Sequence, residues 1–354
     1  MPKQWKTIAS SMLKDSGYPV YGANGIIGYY SEYNHDKETI LVTCRGATCG
    51  SVNICEPFSY INGNAMALDN LDGKIDIKYL YYYLKKRGFD DVISGSAQPQ
   101  ITRTSIEKIE IPICEISKQK MIVNLFDKIE LLINNQKRQL QLLDELVKAR
   151  FVEMFGDPIE NQKDWEVVKI RDIVTDVRYG TSKPAVEGGR YPYLRMNNLT
   201  VDGGLDLSDL KYIDIPDNEI EKCVVRKGDI LFNRTNSIDL IGKTAVFNLL
   251  DDMVIAGYII RIRLNNQILP DVFSQYMNLE AMKKVLRGMA KGAVNQANIN
   301  AQELQSIKVY IPNMELQKQY VEFKEEIDKS RSRIQKSLEA SQELFDSLMQ
   351  EYFG

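Results

Sequence analysis

Short polar loops with the residue types that bind DNA recur in both halves of the chain. The clearest of them, Arg234-Thr235-Asn236-Ser237, places a guanidinium, two hydroxyls and an amide next to one another. Arginine pairs with O6 and N7 of guanine, asparagine or glutamine pairs with N6 and N7 of adenine, and serine or threonine binds phosphate. We therefore predict that these loops contact base edges and phosphates of double-stranded DNA.

The candidate DNA contacts share this chemistry and fall at matching places in the two halves. In the first half they are Arg45, Thr48, Gln98, Gln100 and Arg103. In the second half they are Tyr179, Lys183, Arg195, Asn197, Asn198, Arg234, Thr235, Asn236, Asn295, Gln296 and Asn298. Each residue alone has a simpler explanation, because Asn, Ser and Thr also satisfy backbone groups in turns. The prediction therefore rests on the whole set and on its repetition.

Signatures of catalysis are absent or broken. His35 is the single histidine, so neither a serine triad nor a cysteine triad of the usual kind can be assembled. Gly242-Lys243-Thr244 resembles the end of a phosphate-binding loop, but Ser237 occupies the position of its first glycine. We interpret this segment as the start of a strand. No residue is predicted to be catalytic or to bind a metal, and the chain is expected to be non-catalytic.

The composition is that of an ordinary globular protein, with 44% hydrophobic and 26% charged residues and a net charge of −3. No apolar run approaches the ~20 residues of a membrane span, and the start does not resemble a signal peptide. We therefore expect a cytoplasmic protein without a membrane partner. Five cysteines with irregular spacing suit a reducing compartment and fit no common zinc pattern. The small negative charge does not exclude nucleic acid, because a local basic surface decides that binding.

Two long heptad patterns, one ending each half, must position the polar loops. Apolar residues step by three and four along both, which predicts two long α-helices that pair as an antiparallel coiled coil. Gln136 and Arg331 interrupt the two stripes and are expected to set the register at some cost in stability. The predicted seam consists of Phe126, Ile129, Ile133, Leu140, Leu143 and Val147 with Ile327, Ile334, Leu338, Phe345 and Leu348.

The segments around the helices repeat as well. Ile109-Glu110-Ile111-Pro112 and then Gln119 precede the first stripe, as Ile307 to Pro312 and Gln317 precede the second. Within the preceding domains, Ile40 to Thr43 is predicted to be a strand ending near Arg45, and Tyr79 to Lys86 a helix. We predict the fold class α+β, with two α/β domains separated by two long helices and related by a pseudo-twofold internal repeat. The boundaries are 1–112, 113–156, 157–312 and 313–354.

The order domain, long helix, domain, long helix resembles the specificity subunit of type I restriction–modification systems. A glutamine-containing loop before each Ile-Pro start of a helix is part of the resemblance. The passages that carry it are residues 18–28, 95–101 and 111–123 in the first half and 193–199, 229–236 and 311–317 in the second. The individual motifs are loose, but their order and duplication are specific, and they cover essentially the whole chain.

The resemblance implies that each globular domain is a target-recognition domain for one half of a bipartite DNA target. It also implies that the paired helices set the gap between the half-sites and dock two modification (methyltransferase) subunits, and that restriction subunits can join. S-adenosylmethionine, ATP and Mg would then belong to the partner subunits, with no cofactor in this chain. The chain would be a non-catalytic subunit of a DNA adenine methyltransferase and site-specific deoxyribonuclease complex.

Three other hypotheses remain open from the residues alone. The chain could be a coiled-coil scaffold for protein partners, or an inactive remnant without DNA readout. It could also be a divergent methyltransferase or nuclease, although the motifs for either activity are missing.

Overall fold

Two long helices are shared between two units of the fold. In the computed structural model, which describes residues 2–95, 98–293 and 296–354, one unit comprises Met1–Lys137 with Gln335–Gly354 and the other Arg138–Ile334. Each unit therefore contains one half of each long helix. The helices are parts of the two cores rather than separate bodies.

The first unit contains two small sheets. Its strands are β1 (Pro2–Gln4), β2 (Tyr18–Gly22), β3 (Gly25–Tyr30), β4 (Thr39–Thr43), β5 (Val52–Cys55), β6 (Tyr60–Ile61) and β7 (Ala65–Leu68). One sheet has the order β1-β7-β4-β5 and is antiparallel throughout, and the other has the order β3-β2-β6. The predicted strand at Ile40 to Thr43 is confirmed as β4, which is buried at every position.

Three helices follow these strands: α1 (Ile77–Arg87), α2 (Arg103–Ile106) and the first long helix, α3 (Ile116–Phe155). The carboxylate of Asp76 caps α1 by accepting hydrogen bonds from the backbone N–H groups of Lys78 and Tyr79. The predicted helix from Tyr79 to Lys86 is confirmed as part of α1. Its buried side chains join the core around β4.

The second unit has more strands and a second set of helices. In chain order its elements are β8 (Glu166–Lys169), β9 (Val174–Tyr179), β10 (Tyr191–Leu194), β11 (Lys211–Ile213), α4 (Asp217–Cys223), β12 (Val224–Val225), β13 (Ile230–Asn233), β14 (Thr235–Asn236), β15 (Thr244–Val246), β16 (Met253–Ile255), β17 (Ile259–Leu264), α5 (Pro270–Asn278), α6 (Glu280–Met289), β18 (Lys291–Ala293), β19 (Gln296–Asn298), α7 (Ala301–Ser306), β20 (Lys308–Ile311) and α8 (Met314–Phe353). The sheets have the orders β15-β13-β17-β9, β11-β10-β16-β12, β14-β19-β18 and β20-β8. The interpretation of Gly242-Lys243-Thr244 as the start of a strand is confirmed, because β15 begins at Thr244.

The two long helices pair antiparallel in each unit. In the first unit, the ring of Phe126 lies 5.3 Å from that of Phe345, and the amide of Gln136 donates a 2.8 Å hydrogen bond to Ser337. As the residue number rises along α3, that of its partner on α8 falls. In the second unit, Phe151 packs 5.4 Å from Tyr320. The predicted fold class, including the antiparallel coiled coil, is confirmed.

Both polar interruptions of the seam have partners within their own unit. Gln136 is 5% exposed and bonds Ser337, while its own carbonyl oxygen has no partner among the described residues. Arg331 pairs with Asp144 on α3 and lies 3.6 Å from Asp202. Such pairs favour one register, because sliding the helices would separate them. Phe126, Ile129, Ile133, Val147 and Phe345 are buried, and Leu140, Leu143, Ile327, Ile334, Leu338 and Leu348 are half-buried.

One buried glutamine at the start of each long helix joins that helix to its unit. Gln119 and Gln317 are fully buried. The Gln119 carbonyl accepts from the N–H of Asp76, which caps α1, and its amide donates to the carbonyls of Lys74 and Cys114. Gln317 makes the same three bonds, to Leu269, Gln267 and Pro312. The glutamine that repeats in the sequence thus makes equivalent hydrogen bonds in both units.

We expect Gln119→Leu to lower the free energy of unfolding by about 1–3 kcal/mol, because three backbone groups would lose their hydrogen bonds to a fully buried side chain. The matched control is Gln139→Leu, an exposed glutamine on the same helix. It should change stability by less than about 0.5 kcal/mol. Urea denaturation measures both, and an equal effect of the two substitutions would contradict the role of Gln119.

Candidate nucleic-acid interface

Arg234 occupies the loop between β13 and β14 and stacks on an aromatic ring. Its guanidinium carbon lies 4.9 Å from the ring centroid of Tyr179, and one Nη donates a 3.2 Å hydrogen bond to the carbonyl of Gly257. Its Nε is buried without a partner, and no carboxylate of the described residues lies within ion-pair distance of it. The cation is therefore oriented by the fold but not neutralised by it.

The backbone under this arginine requires glycine. A Cβ at Gly180 would lie 2.2 Å from the carbonyl oxygen of Ile255 and 2.3 Å from that of Ala256. Only glycine allows the chain to pass so close to this segment. The Tyr179-Gly180-Thr181 backbone is thereby held against the strand end, and the hydroxyl of Tyr179 accepts a 2.8 Å hydrogen bond from the N–H of Ala301.

The small sheet β14-β19-β18 brings further predicted residues next to Arg234. Thr235 pairs with Asn298 in the ladder, and its hydroxyl donates a 3.0 Å hydrogen bond to the Asn298 carbonyl oxygen. The Asn236 amide donates to Asn233 at 2.9 Å. Asn295 lies outside the described residues, and the side chain of Gln296 is not described either. The described members of this group therefore lie together.

Arg195 also lies at a strand end, but its charge is paired. It follows β10 and forms a 2.7 Å ion pair with Asp209, which Lys211 also approaches at 3.2 Å. Hydrogen bonds from Arg195 first, and then from Lys211, lower the pKa of the Asp209 carboxyl. To bind DNA through this Nη, Arg195 would have to exchange the carboxylate for a phosphate or base.

The turn after Arg195 is held from inside. Asn198 is 2% exposed, accepts from the N–H of Arg195 and donates to the carbonyl of Asp206. Lys243, which is 7% exposed, donates to the carbonyls of Met196 and Leu199. We therefore assign Asn198 to ordering this turn, whereas the neighbouring Asn197 is exposed. Sequence reasoning missed Lys243 as a support because only the close approach of distant loops shows it.

Lys183 and Arg103 are each paired with a carboxylate. Lys183 lies 2.9 Å from Glu219 on α4, and Arg103 lies 2.8 Å from Glu107, one helical turn along. Arg103 lines a cavity with Trp5 and His35, whose lining does not include the other predicted residues of the first unit. Both side chains therefore have a carboxylate partner, unlike Arg234 among the described residues.

The predicted residues of the first unit other than Arg103 follow β4 or lie on the loop that pairs with its end. Arg45 is exposed and forms a backbone bridge with Gln100, which is exposed, as is Gln98. The hydroxyl of Thr48 donates to Asn24, at the tip of the β2–β3 hairpin. Arg45 has no carboxylate of the described residues within ion-pair distance. The sequence signal for Asn24 was its place beside a glycine in a hairpin turn, which reasoning from DNA-binding residue types did not use.

The described residues show no cluster of His, Cys, Asp and Glu that could hold a metal ion. The five cysteines are free thiols. No helix in the described part of the chain is long and apolar enough to cross a membrane.

The prediction from the sequence that Arg234 contacts a base implies that Arg234→Ala relaxes base preference, by about 1–3 kcal/mol for a lost bidentate contact. Selection of bound fragments from a random DNA library measures this preference. Arg190→Ala is the matched control, since Arg190 stacks on Tyr191 at the same 4.9 Å but is paired with Asp217. Unchanged base preference in the Arg234 variant would exclude a direct contact.

Comparison with known proteins shows which family the chain resembles. Residues 3–144 and 162–342 match the family described as type I restriction modification DNA specificity domain. A putative type I restriction enzyme specificity subunit, MjaX, from Methanocaldococcus jannaschii is 31% identical over 55% of this chain and 46% of its own length. The EcoKI specificity subunit of Escherichia coli K12 is 21% identical over 72% of this chain and 58% of its own length. The chain thus spans about half the length of these curated relatives.

A solved structure has a similar fold. The crystal structure of a type I restriction–modification S subunit from M. genitalium superimposes with a TM-score of 0.65 at 16% identity, covering 100% of this chain and 93% of the other. At this identity the likeness shows a shared fold. The two family matches account for most of the chain, one in each half, and the chain belongs to the type I restriction modification DNA specificity family.

Proposed function

We propose that the chain is the DNA specificity subunit of a type I restriction–modification complex, and that each globular domain binds one half of a bipartite DNA target. One observation carries this proposal. Each unit presents, at the end of a buried core strand, an arginine without a carboxylate partner among the described residues: Arg45 after β4 and Arg234 after β13. In both units, amide and hydroxyl side chains lie beside that arginine.

The chemistry of these two groups suits base readout. The Arg234 guanidinium is oriented by stacking on Tyr179 and has no carboxylate partner among the described residues, so it would lose little entropy on binding guanine bidentately. Asn24, Gln98 and Gln100 in one unit, and Asn236 and Asn298 in the other, supply amides that can pair with adenine. The net charge of −3 makes the non-specific attraction to DNA weak, so partner subunits complete the affinity.

We propose that the long helices dock two modification subunits and set the gap between the half-sites, and that restriction subunits can join. Support comes from α3, which exposes large apolar side chains outside the seam. These are Met121, Leu131, Leu132, Leu142 and Leu146, each at least 45% exposed. Exposed apolar side chains of this size on one helix are typical of a protein interface.

We assign methyl transfer and cleavage to the partner subunits, with this chain as the non-catalytic reader. S-adenosylmethionine, ATP and Mg would be bound by those partners, and the methylated base would be adenine. The complex would act in the cytoplasm, where its DNA lies.

Methylation mapping tests the proposal directly. The chain would be expressed with its modification subunit in a methylation-free host, and modified adenines would be located by long-read sequencing. We expect a split motif with one methylated adenine on each strand. A soluble complex that methylates nothing would instead favour the scaffold or the inactive remnant.

Removing one heptad from each helix, residues 134–140 and 334–340, should preserve the seam register and shorten the gap. Seven residues at 1.5 Å each correspond to about 10 Å, or about three base pairs at 3.4 Å. The same methylation assay measures the new gap. A matched seven-residue insertion should lengthen it, and an unchanged gap in both variants would remove the helices from target selection.

A further inference from the structure

A cavity of about 150 Å³ in the second unit is lined by more cations than carboxylates. It lies between α3, the loop after β14, the start of β15 and α6. Its charged lining residues are four cations and two carboxylates, namely Lys148, Lys243, Lys283, Arg287, Asp239 and Glu280. Since one water takes about 30 Å³ in the liquid, the cavity has room for a small polyatomic ion with its remaining waters.

Two of these cations are buried without a carboxylate. Lys243 and Lys283 are 7% and 8% exposed, and neither has an ion-pair partner among the described residues. The Lys283 ammonium donates to the carbonyl oxygens of Gly242 and Asn278, the latter at 2.8 Å. Lys243 donates to the carbonyls of two backbone groups. Each ammonium has three N–H groups, so each retains one donor beyond these bonds.

Burial of the two amines without a carboxylate partner among the described residues lowers the pKa of each. Burial lowers the pKa of Lys243. Burial, and then repulsion from Arg287 and Lys243, lowers the pKa of Lys283 to about 7, while Glu280 partly opposes this effect. Glu280 itself is engaged by Arg287 in a 2.6 Å ion pair. An anion in the cavity that both amines line would supply the missing counter-charge.

We propose that this cavity binds a tetrahedral oxyanion of the phosphate or sulfate class. The buried ammonium groups of Lys243 and Lys283 donate to its oxygens, and Arg287 and Lys148 contribute positive charge at the rim. Lys243 also supports the turn after Arg195, so the site adjoins the candidate nucleic-acid interface. The occupant is either a free anion or a backbone phosphate of DNA, which present the same oxygens.

Sulfate is the suitable probe, because it remains a dianion from pH 6 to pH 8. Isothermal titration calorimetry of the full chain should show one saturable site at pH 6. Lysine is charged below its pKa, so deprotonation of Lys283 as the pH rises through about 7 should weaken sulfate binding about tenfold between pH 6 and pH 8. Absence of saturable binding at pH 6, or equal affinity at the two pH values, overturns the proposal.

Substitutions on α6 separate the site from general salt effects. Lys283→Met should abolish saturable binding, whereas Lys284→Met, at the exposed neighbouring position, should retain it. General stabilisation by excluded sulfate acts on every variant alike. Retained binding in a folded Lys283→Met variant would overturn the assignment. If that variant does not fold, the pH dependence of the unmodified chain still decides the question.

Titrations with DNA then identify the source of the anion. If a backbone phosphate occupies the cavity, sulfate should compete with DNA, and Lys283→Met should reduce the slope of log affinity against log salt by about 1. If a free anion occupies the cavity, Lys283→Met should lose sulfate binding and should bind DNA with the same affinity as the unmodified chain. The sulfate experiments do not depend on the proposed DNA readout, so failure of one proposal is distinguishable from failure of the other.

Discussion

The apolar seam between α3 and α8 is the interaction on which both units depend. In the first unit, Phe126 packs against Phe345 and Phe353 of α8, and the same cluster contains Ile40 and Val42 of β4. The seam residues are thus core residues of the sheets as well. Because burial of apolar surface is the main favourable term in folding, the core of the first unit closes only when the C-terminal part of α8 packs on it, and the core of the second unit likewise contains side chains of both long helices.

If the seam were only apolar, α3 and α8 could shift along each other, and polar contacts between the two helices oppose such a shift. Gln136 with Ser337, and Arg331 with Asp144, lie at single positions of the pair and favour one register. The glutamines that start the helices have the complementary role. They join each long helix to the N-cap residue of a shorter helix in the same unit, Asp76 before α1 and Leu269 before α5.

Carboxylate pairing separates structural cations from those available to a ligand. Arg261 is 1% exposed and bonded to Asp176, where burial by itself would raise the pKa of the carboxyl and hydrogen bonds from Arg261 and Arg178 lower it overall. Such a pair is locked into the fold. Arg45 and Arg234 have no carboxylate partner among the described residues, so their guanidinium groups remain available to a ligand.

The duplicated helices, the strand β4, the helix α1 and the family could be predicted from the sequence. Heptad spacing dictates which face of a helix is apolar. The Gln that follows each Ile-Pro marks the start of a long helix in both halves of the chain. These are local properties, so local patterns are sufficient to determine them.

The composition of the candidate interface was decided only by tertiary structure. Cationic residues have different environments: Arg234 stacks on Tyr179 and has no carboxylate partner in the described part of the chain, while Arg195 pairs with Asp209 and Lys183 pairs with Glu219. Asn198 and Lys243 are buried, and both stabilise the turn after Arg195 by hydrogen bonds. The physical reason is that charge pairing and burial depend on which distant loops meet in space, and no residue spacing encodes that meeting.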